Sequence, residues 1–130
     1  MQMCTIPNLK DSFSKYYLEY HDIDINKLKG DVLYLGMGNA YCARHQLDAV
    51  TSTTFVENCK EVIDNFSIDS SWKVYYGDLY KVKLKEKFDF IFINIFYKPT
   101  KIEELEKIKE LYKNNLKDTG KFLYLKKLFI

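Results

Sequence analysis

Two glycines one residue apart, in Gly36-Met37-Gly38-Asn39, follow directly on the apolar run Val32-Leu33-Tyr34-Leu35. Glycines in such a turn let the chain bend tightly and expose backbone N–H groups to a ligand at close range. An acidic residue about 20 positions further on suits the hydroxyl groups of a ribose, and Glu57 meets that requirement. Asp78 follows a third β-rich run, where its carboxylate can accept a hydrogen bond from an adenine amino group, with Leu79 placed to pack on the ring. Asn94 ends a fourth run beside the same cleft. Each residue also has a plain structural use, as a turn glycine, a surface acid or a turn cap. Their coincidence at four successive strand ends argues for one adenosine-binding site.

The elements that must position them read as alternating strands and helices. A leading helix is expected from Asn8 to Tyr20, with Asn8 as N-cap behind Pro7. Strands are expected over Asp31 to Leu35, Ala49 to Val56, Trp72 to Tyr76 and Phe88 to Ile95, with a short helix from Ala40 to about Leu47. Capping boxes at Asn58-Cys59-Lys60-Glu61 and at Thr100 with Glu103 open two more helices, the second running up to Gly120. Lys121 to Ile130 is the expected closing strand. The fourth strand is apolar throughout, which predicts a central position covered on both faces. The economical fold is a Rossmann-like three-layer α/β sandwich with a mainly parallel sheet of about five strands. In such a sheet a ligand binds beyond the carboxyl ends of the strands, where the strand order reverses, and Gly36 to Asn39 is the loop at that point.

A chain of 130 residues suits one domain. Its 20 Lys and Arg against 18 Asp and Glu leave +2, too small an excess to imply a nucleic-acid or membrane partner from bulk charge. Cys4, Cys42 and Cys59 form no CxxC pair, and with only His21 and His45 they make no zinc pattern, so no metal site is expected and all three read as reduced thiols. Arg44 and His45 sit near the glycine loop on a short segment and read as surface residues, and His21 reads as structural. The absence of an export signal and of any long apolar run predicts a soluble, cytoplasmic protein.

Through Val32 to Asn39, Phe55-Val56-Glu57-Asn58, Tyr76-Gly77-Asp78-Leu79 and Phe88-Asp89-Phe90-Ile91-Phe92-Ile93-Asn94, the sequence resembles the class I S-adenosylmethionine-dependent methyltransferase-like family, in particular its spermidine-synthase-like branch. The resemblance covers roughly Lys29 to Ile130. It implies S-adenosylmethionine or a related nucleoside as ligand, with Gly36 and Gly38 near its methionine part, Glu57 on the ribose, Asp78 on the adenine and Asn94 near the transferred group. Met37, Asn39 and Leu79 complete the expected cofactor-binding set.

The pattern departs from that branch in three places. Residues such as Tyr41 and Cys42 replace the third loop glycine, which keeps NAD-binding Rossmann domains as a competing match. Aminopropyl transfer in that branch relies on acidic residues after the fourth strand, whereas this chain reads Asn94-Ile95-Phe96-Tyr97-Lys98-Pro99. An uncharged Asn94 cannot act as a base, so polyamine synthesis is not expected. The segment is distantly similar to the Asn-Pro-Pro-Tyr loop of amino-methyltransferases, which makes Asn94 and Tyr97 the candidate catalytic pair. Lastly, the apolar Leu128-Phe129-Ile130 ending predicts an uncovered edge strand and self-association through it. The expected function is a small methyltransferase. A non-catalytic interaction module and an enzyme that cleaves the nucleoside without an acceptor stay open beside it.

Overall fold

The computed structural model describes residues 18, 20–38, 40–95 and 99–130. Its centre is a parallel sheet of five strands: β1 (Gly30–Leu35), β2 (Val50–Glu57), β3 (Lys73–Tyr76), β4 (Phe88–Ile93) and β5 (Leu116–Tyr124), in the order β3-β2-β1-β4-β5. Three α-helices with fully described bounds accompany it, α1 (Tyr41–His45), α2 (Lys60–Phe66) and α3 (Ile102–Tyr112). Strand order reverses at β1, which pairs with β2 on one side and β4 on the other.

The twofold alternation of side chains along a strand divides the interior into two cores. Val32 and Tyr34 of β1 join Phe55, Phe92, Ala43 and Val62 on the face covered by α1 and α2. Leu33 and Leu35 join Val56, Ile91, Ile93, Leu105 and Ile108 on the face covered by α3. This explains why β4 is apolar on both sides. Tyr34 stacks on Phe55 at 5.1 Å and on Phe92 at 6.0 Å between ring centroids. Its hydroxyl donates to Gln46 Oε1 at 2.8 Å, and Gln46 Nε2 donates to Thr53 Oγ1 at 2.7 Å, so the polar tip of this buried ring is satisfied.

Several sequence expectations are corrected. The helix expected to reach Gly120 ends at Tyr112, and the chain passes through a 3₁₀ turn at Lys113–Asn115 into β5. Gly120 lies inside β5, where an added Cβ would come within 2.9 Å of the Phe88 carbonyl oxygen. A close approach between neighbouring strands, rather than a helix stop, accounts for this glycine. The N-caps differ from those expected: α2 and α3 have Cys59 and Lys101 in that position, one residue after Asn58 and Thr100, and neither makes a side-chain cap bond. At α3 the tail substitutes, because Ile102 N–H donates to the Ile130 carbonyl at 2.9 Å. The tail is therefore not a continuation of the edge strand. It turns at Lys126–Leu128, bridges Thr100 through Phe129, and leaves Leu116–Tyr124 as the sheet edge. Of the leading helix, the described residues are Leu18, which is buried, and Tyr20, which is exposed. Cys59 is in a disulfide, which overturns its reading as a reduced thiol, whereas Cys42 is free and buried.

At the opposite end of the sheet from the strand-end loops, Lys117 Nζ donates to Asp31 Oδ2 at 2.8 Å and to Asp89 Oδ2 at 2.9 Å. The Lys117 ammonium, followed by the Ser52 hydroxyl, holds Asp31 below the usual carboxylate range. The Asp31 N–H, followed by Lys117, does the same for Asp89. A depressed folded pKa stabilises the native state above the ordinary carboxylate value, and this is lost as pH falls through the depressed value. Lys117→Met is expected to lower stability at neutral pH and to flatten the decline below about pH 4. Urea midpoints between neutrality and the acid limb measure this, and an unchanged pH profile in the variant would refute it.

Candidate functional site

The register of the parallel pairs sets the site. Leu35 is level with Val56 of β2 and Ile93 of β4, and Glu57 is level with Tyr76 of β3. Gly36, Glu57, Gly77-Asp78 and Asn94 therefore emerge along one edge of the sheet, around the point where strand order reverses.

Gly36 has φ +99°, and an added Cβ would lie 2.5 Å from the Asn94 carbonyl oxygen. Its N–H donates to Val56 O at 2.8 Å, and Asn94 N–H donates to Leu35 O at 2.8 Å, so β1 is clamped between its neighbours at the turn. Gly38 and Ala40 both have positive φ, 56° and 57°, and the chain then enters α1. Met37 is buried, and its N–H donates to Glu57 Oε1 at 2.9 Å. Glu57 Oε2 accepts the Cys59 N–H at 2.9 Å. One carboxylate thus ties the glycine loop to the start of α2. Each of its oxygens keeps a lone pair after these bonds, so ribose hydroxyls can still be accepted.

Asn94 is only 5% exposed. Its Nδ2 donates to Gly36 O at 3.3 Å, while its Oδ1 is buried without a hydrogen-bond partner among the described residues. A buried acceptor left unmatched costs free energy, and such groups often mark a place where something else binds. Asp78 Oδ1 accepts the Tyr80 N–H at 2.9 Å, and the Asp78 carbonyl accepts from Lys81 and Val82, forming a turn at the end of β3. Leu79 is 2% exposed and sits in the core with Val56 and Leu105, where its carbonyl accepts the Tyr112 hydroxyl. Asn39 and Tyr97 lie outside the described residues.

The structure thus brings Gly36, Met37, Glu57 and Asn94 into one hydrogen-bonded group, with Asp78 beside it through Gly77 N–H donating to Glu57 O at 2.9 Å. Leu79 faces the interior instead. The Cys59 N–H is a partner the sequence did not indicate, because backbone donors carry no residue signature. Burial pushes the Cys42 thiol up to about 12, so it stays protonated and is no nucleophile. Burial likewise lowers His21, whose Nδ1 accepts the Lys127 N–H at 3.2 Å and anchors the tail. Among the described residues no group of three or more His, Cys, Asp and Glu could hold a metal ion.

The strand order and the loops at the strand ends define a Rossmann-like α/β fold. Solved structures share it: the DhpI-SAH complex superposes with a TM-score of 0.60 at 21% identity over 74% of this chain and 48% of that one. An S-adenosylmethionine-dependent methyltransferase from Clostridium acetobutylicum ATCC 824 gives 0.60 at 17% identity over 88% and 51%. The N-methyltransferase NodS from Bradyrhizobium japonicum WM9 gives 0.65 at 11% identity over 85% and 65%. The chain spans about half the length of the first two and about two thirds of NodS. At these identities the likeness is one of fold. No protein-family model and no curated protein matches the sequence.

Proposed function

We propose that the chain binds S-adenosylmethionine at the edge formed by Gly36, Met37, Gly38, Asn39, Glu57 and Asp78, and acts as a small methyltransferase. The observation that carries this reading is the unmatched, buried Asn94 Oδ1 beside the glycine loop. The side chains fit the group: Glu57 has acceptor capacity left for a diol, Asp78 lies in the turn just beyond Tyr76, which is level with Glu57 on the next strand, and Asn94 offers a buried acceptor to a ligand N–H or O–H. S-adenosylmethionine, when bound, supplies an electrophilic methyl group on a sulfonium. Asn94 Oδ1 would hold a methyl acceptor by accepting a hydrogen bond from its N–H or O–H. A neutral amide does not take up the proton, which leaves to water. Tyr97, from the same segment, is assigned to positioning the acceptor. The SAH complex and the methyltransferases that share the fold support this reading.

Asn94→Leu tests it, because it deletes the unmatched acceptor at similar volume. Isothermal titration with S-adenosylmethionine and a methyl acceptor is expected to show about tenfold or greater loss of affinity for one of them. Thermal stability without ligand is expected to hold or rise. Unchanged affinity for both, or no binding of S-adenosylmethionine to the parent chain, would overturn the proposal.

One observation favours a second reading, a non-catalytic module that kept the fold: both Glu57 oxygens already serve backbone N–H groups, so this acid has structural work without a ligand. Failure of S-adenosylmethionine, S-adenosylhomocysteine, methylthioadenosine and NAD alike to bind would select it. Self-association along the outer edge of β5 belongs to either reading, and light scattering at twice the 15.5 kDa chain mass would support it. No helix among the described residues is long and apolar enough to cross a membrane. A cytoplasmic location is proposed with the enzyme reading, and the Cys59 disulfide weighs against it.

A further inference from the structure

Whole-chain charge conceals a local segregation. Lys81-Val82-Lys83-Leu84-Lys85-Glu86-Lys87 carries four lysines against one glutamate, a net of +3 in seven residues that leaves −1 for the other 123. The segment leaves the turn after β3 at Lys81 and runs to β4 without regular secondary structure, with burial that alternates residue by residue. Val82 and Leu84 turn inward against the core that contains Leu105 and Ile108, while all four lysines are exposed. Because exposure alternates with burial, the four lysines stand on the outward side of one short segment, a concentration of positive charge of the kind that neutralises phosphates.

The one acid of the segment does not neutralise the row. Glu86 Oε2 accepts from Lys73 Nζ at 3.2 Å and from the Tyr75 hydroxyl at 2.9 Å, so its charge is matched by a fifth lysine from β3. None of Lys81, Lys83, Lys85 or Lys87 makes an ion pair with another described residue. Lys81, Lys83 and Lys85 border an open cleft of about 520 Å³ whose far wall includes the exposed Leu111 and Asn114. The Asn115 side chain fixes the segment from below, donating to Leu84 O at 2.9 Å and Glu86 O at 3.0 Å. The row is therefore held on a defined backbone.

We propose that this lysine row is a binding surface for the sugar-phosphate backbone of a single-stranded nucleic acid. Lysine offers compact point charges without the planar fork that reads base edges, so recognition is by charge and is indifferent to base sequence. The surface is separate from the cofactor reading and stands whether or not S-adenosylmethionine binds.

Fluorescence anisotropy of a labelled twelve-nucleotide oligothymidylate and its oligouridylate counterpart tests this. Four phosphate contacts predict a loss of roughly 50-fold in affinity between 50 and 200 mM salt. The variant K81Q/K83Q/K85Q/K87Q should lose binding. A variant of equal charge altered elsewhere on the exposed surface, K27Q/K29Q/K101Q/K126Q, should retain at least half of the parent affinity, and circular dichroism should show both folded. Equal losses in the two variants would reduce the effect to bulk charge and overturn the proposal. So would no binding by the parent chain, or tighter binding to polyglutamate or to vesicles containing phosphatidylserine than to the oligonucleotides.

Discussion

Gly36→Ala is expected to be the most damaging single methyl group that can be added to this chain. At φ +99° a side chain is strained, and the new Cβ would sit 2.5 Å from the Asn94 carbonyl oxygen and 2.7 Å from Ile95 Cγ2. Backbone strain at such a residue costs on the order of 1–3 kcal/mol, and displacement of a neighbouring strand end adds to it. A total of about 3 kcal/mol or more lowers the melting temperature of a domain this size by roughly 10 °C or more. The obstructing carbonyl belongs to the backbone, so trimming Ile95 to alanine is expected to restore little. Calorimetry on Gly36→Ala and on Gly36→Ala with Ile95→Ala measures both claims. A parent-like melting temperature in the first, or full rescue in the second, would show that the turn does not need its glycine.

Glu57→Ala comes next in size. It strands two N–H groups, those of Met37 and Cys59, in a buried setting. Each unmatched donor costs about 1–3 kcal/mol, which places the loss for the two at roughly 2–6 kcal/mol. Glu57→Gln keeps one acceptor oxygen and is expected to fall between parent and alanine variant in urea unfolding. The two substitutions also separate structure from ligand binding. If the carboxylate holds a ribose, Glu57→Gln weakens S-adenosylmethionine binding by tenfold or more while retaining most of the fold. A glutamine variant that binds like the parent would confine Glu57 to its structural role. An alanine variant as stable as the parent would remove that role too.

The sheet and the clustering of the candidate residues at one edge of it were legible in the sequence for a physical reason. Strand identity and burial depend on local patterns, such as the apolar run Phe88 to Ile93 and the β-branched run before Glu57, and a parallel sheet sends all its strand ends to one edge. Once Gly36, Glu57, Asp78 and Asn94 are read as strand ends, their proximity follows from topology alone. Local signals misled where a distant partner decides the outcome. Gly120 resembles a helix stop but packs against Phe88, and the helix that was expected to open with Thr100 takes its N-terminal acceptor from Ile130 at the far end of the chain. Leu79, next to a site residue, turns inward because the core claims it.

The amino-acid sequence by itself determined the alternation of elements, the two-faced apolar strands and the residues at the turning points, since all of these are properties of short segments. Tertiary structure alone decided that Glu57 spends two bonds on backbone N–H groups, that Asn94 Oδ1 is buried with no partner among the described residues, and that four lysines pair with no described acid while a fifth neutralises Glu86. Hydrogen-bond matching and charge compensation depend on which atoms meet across the fold, and no residue spacing records that.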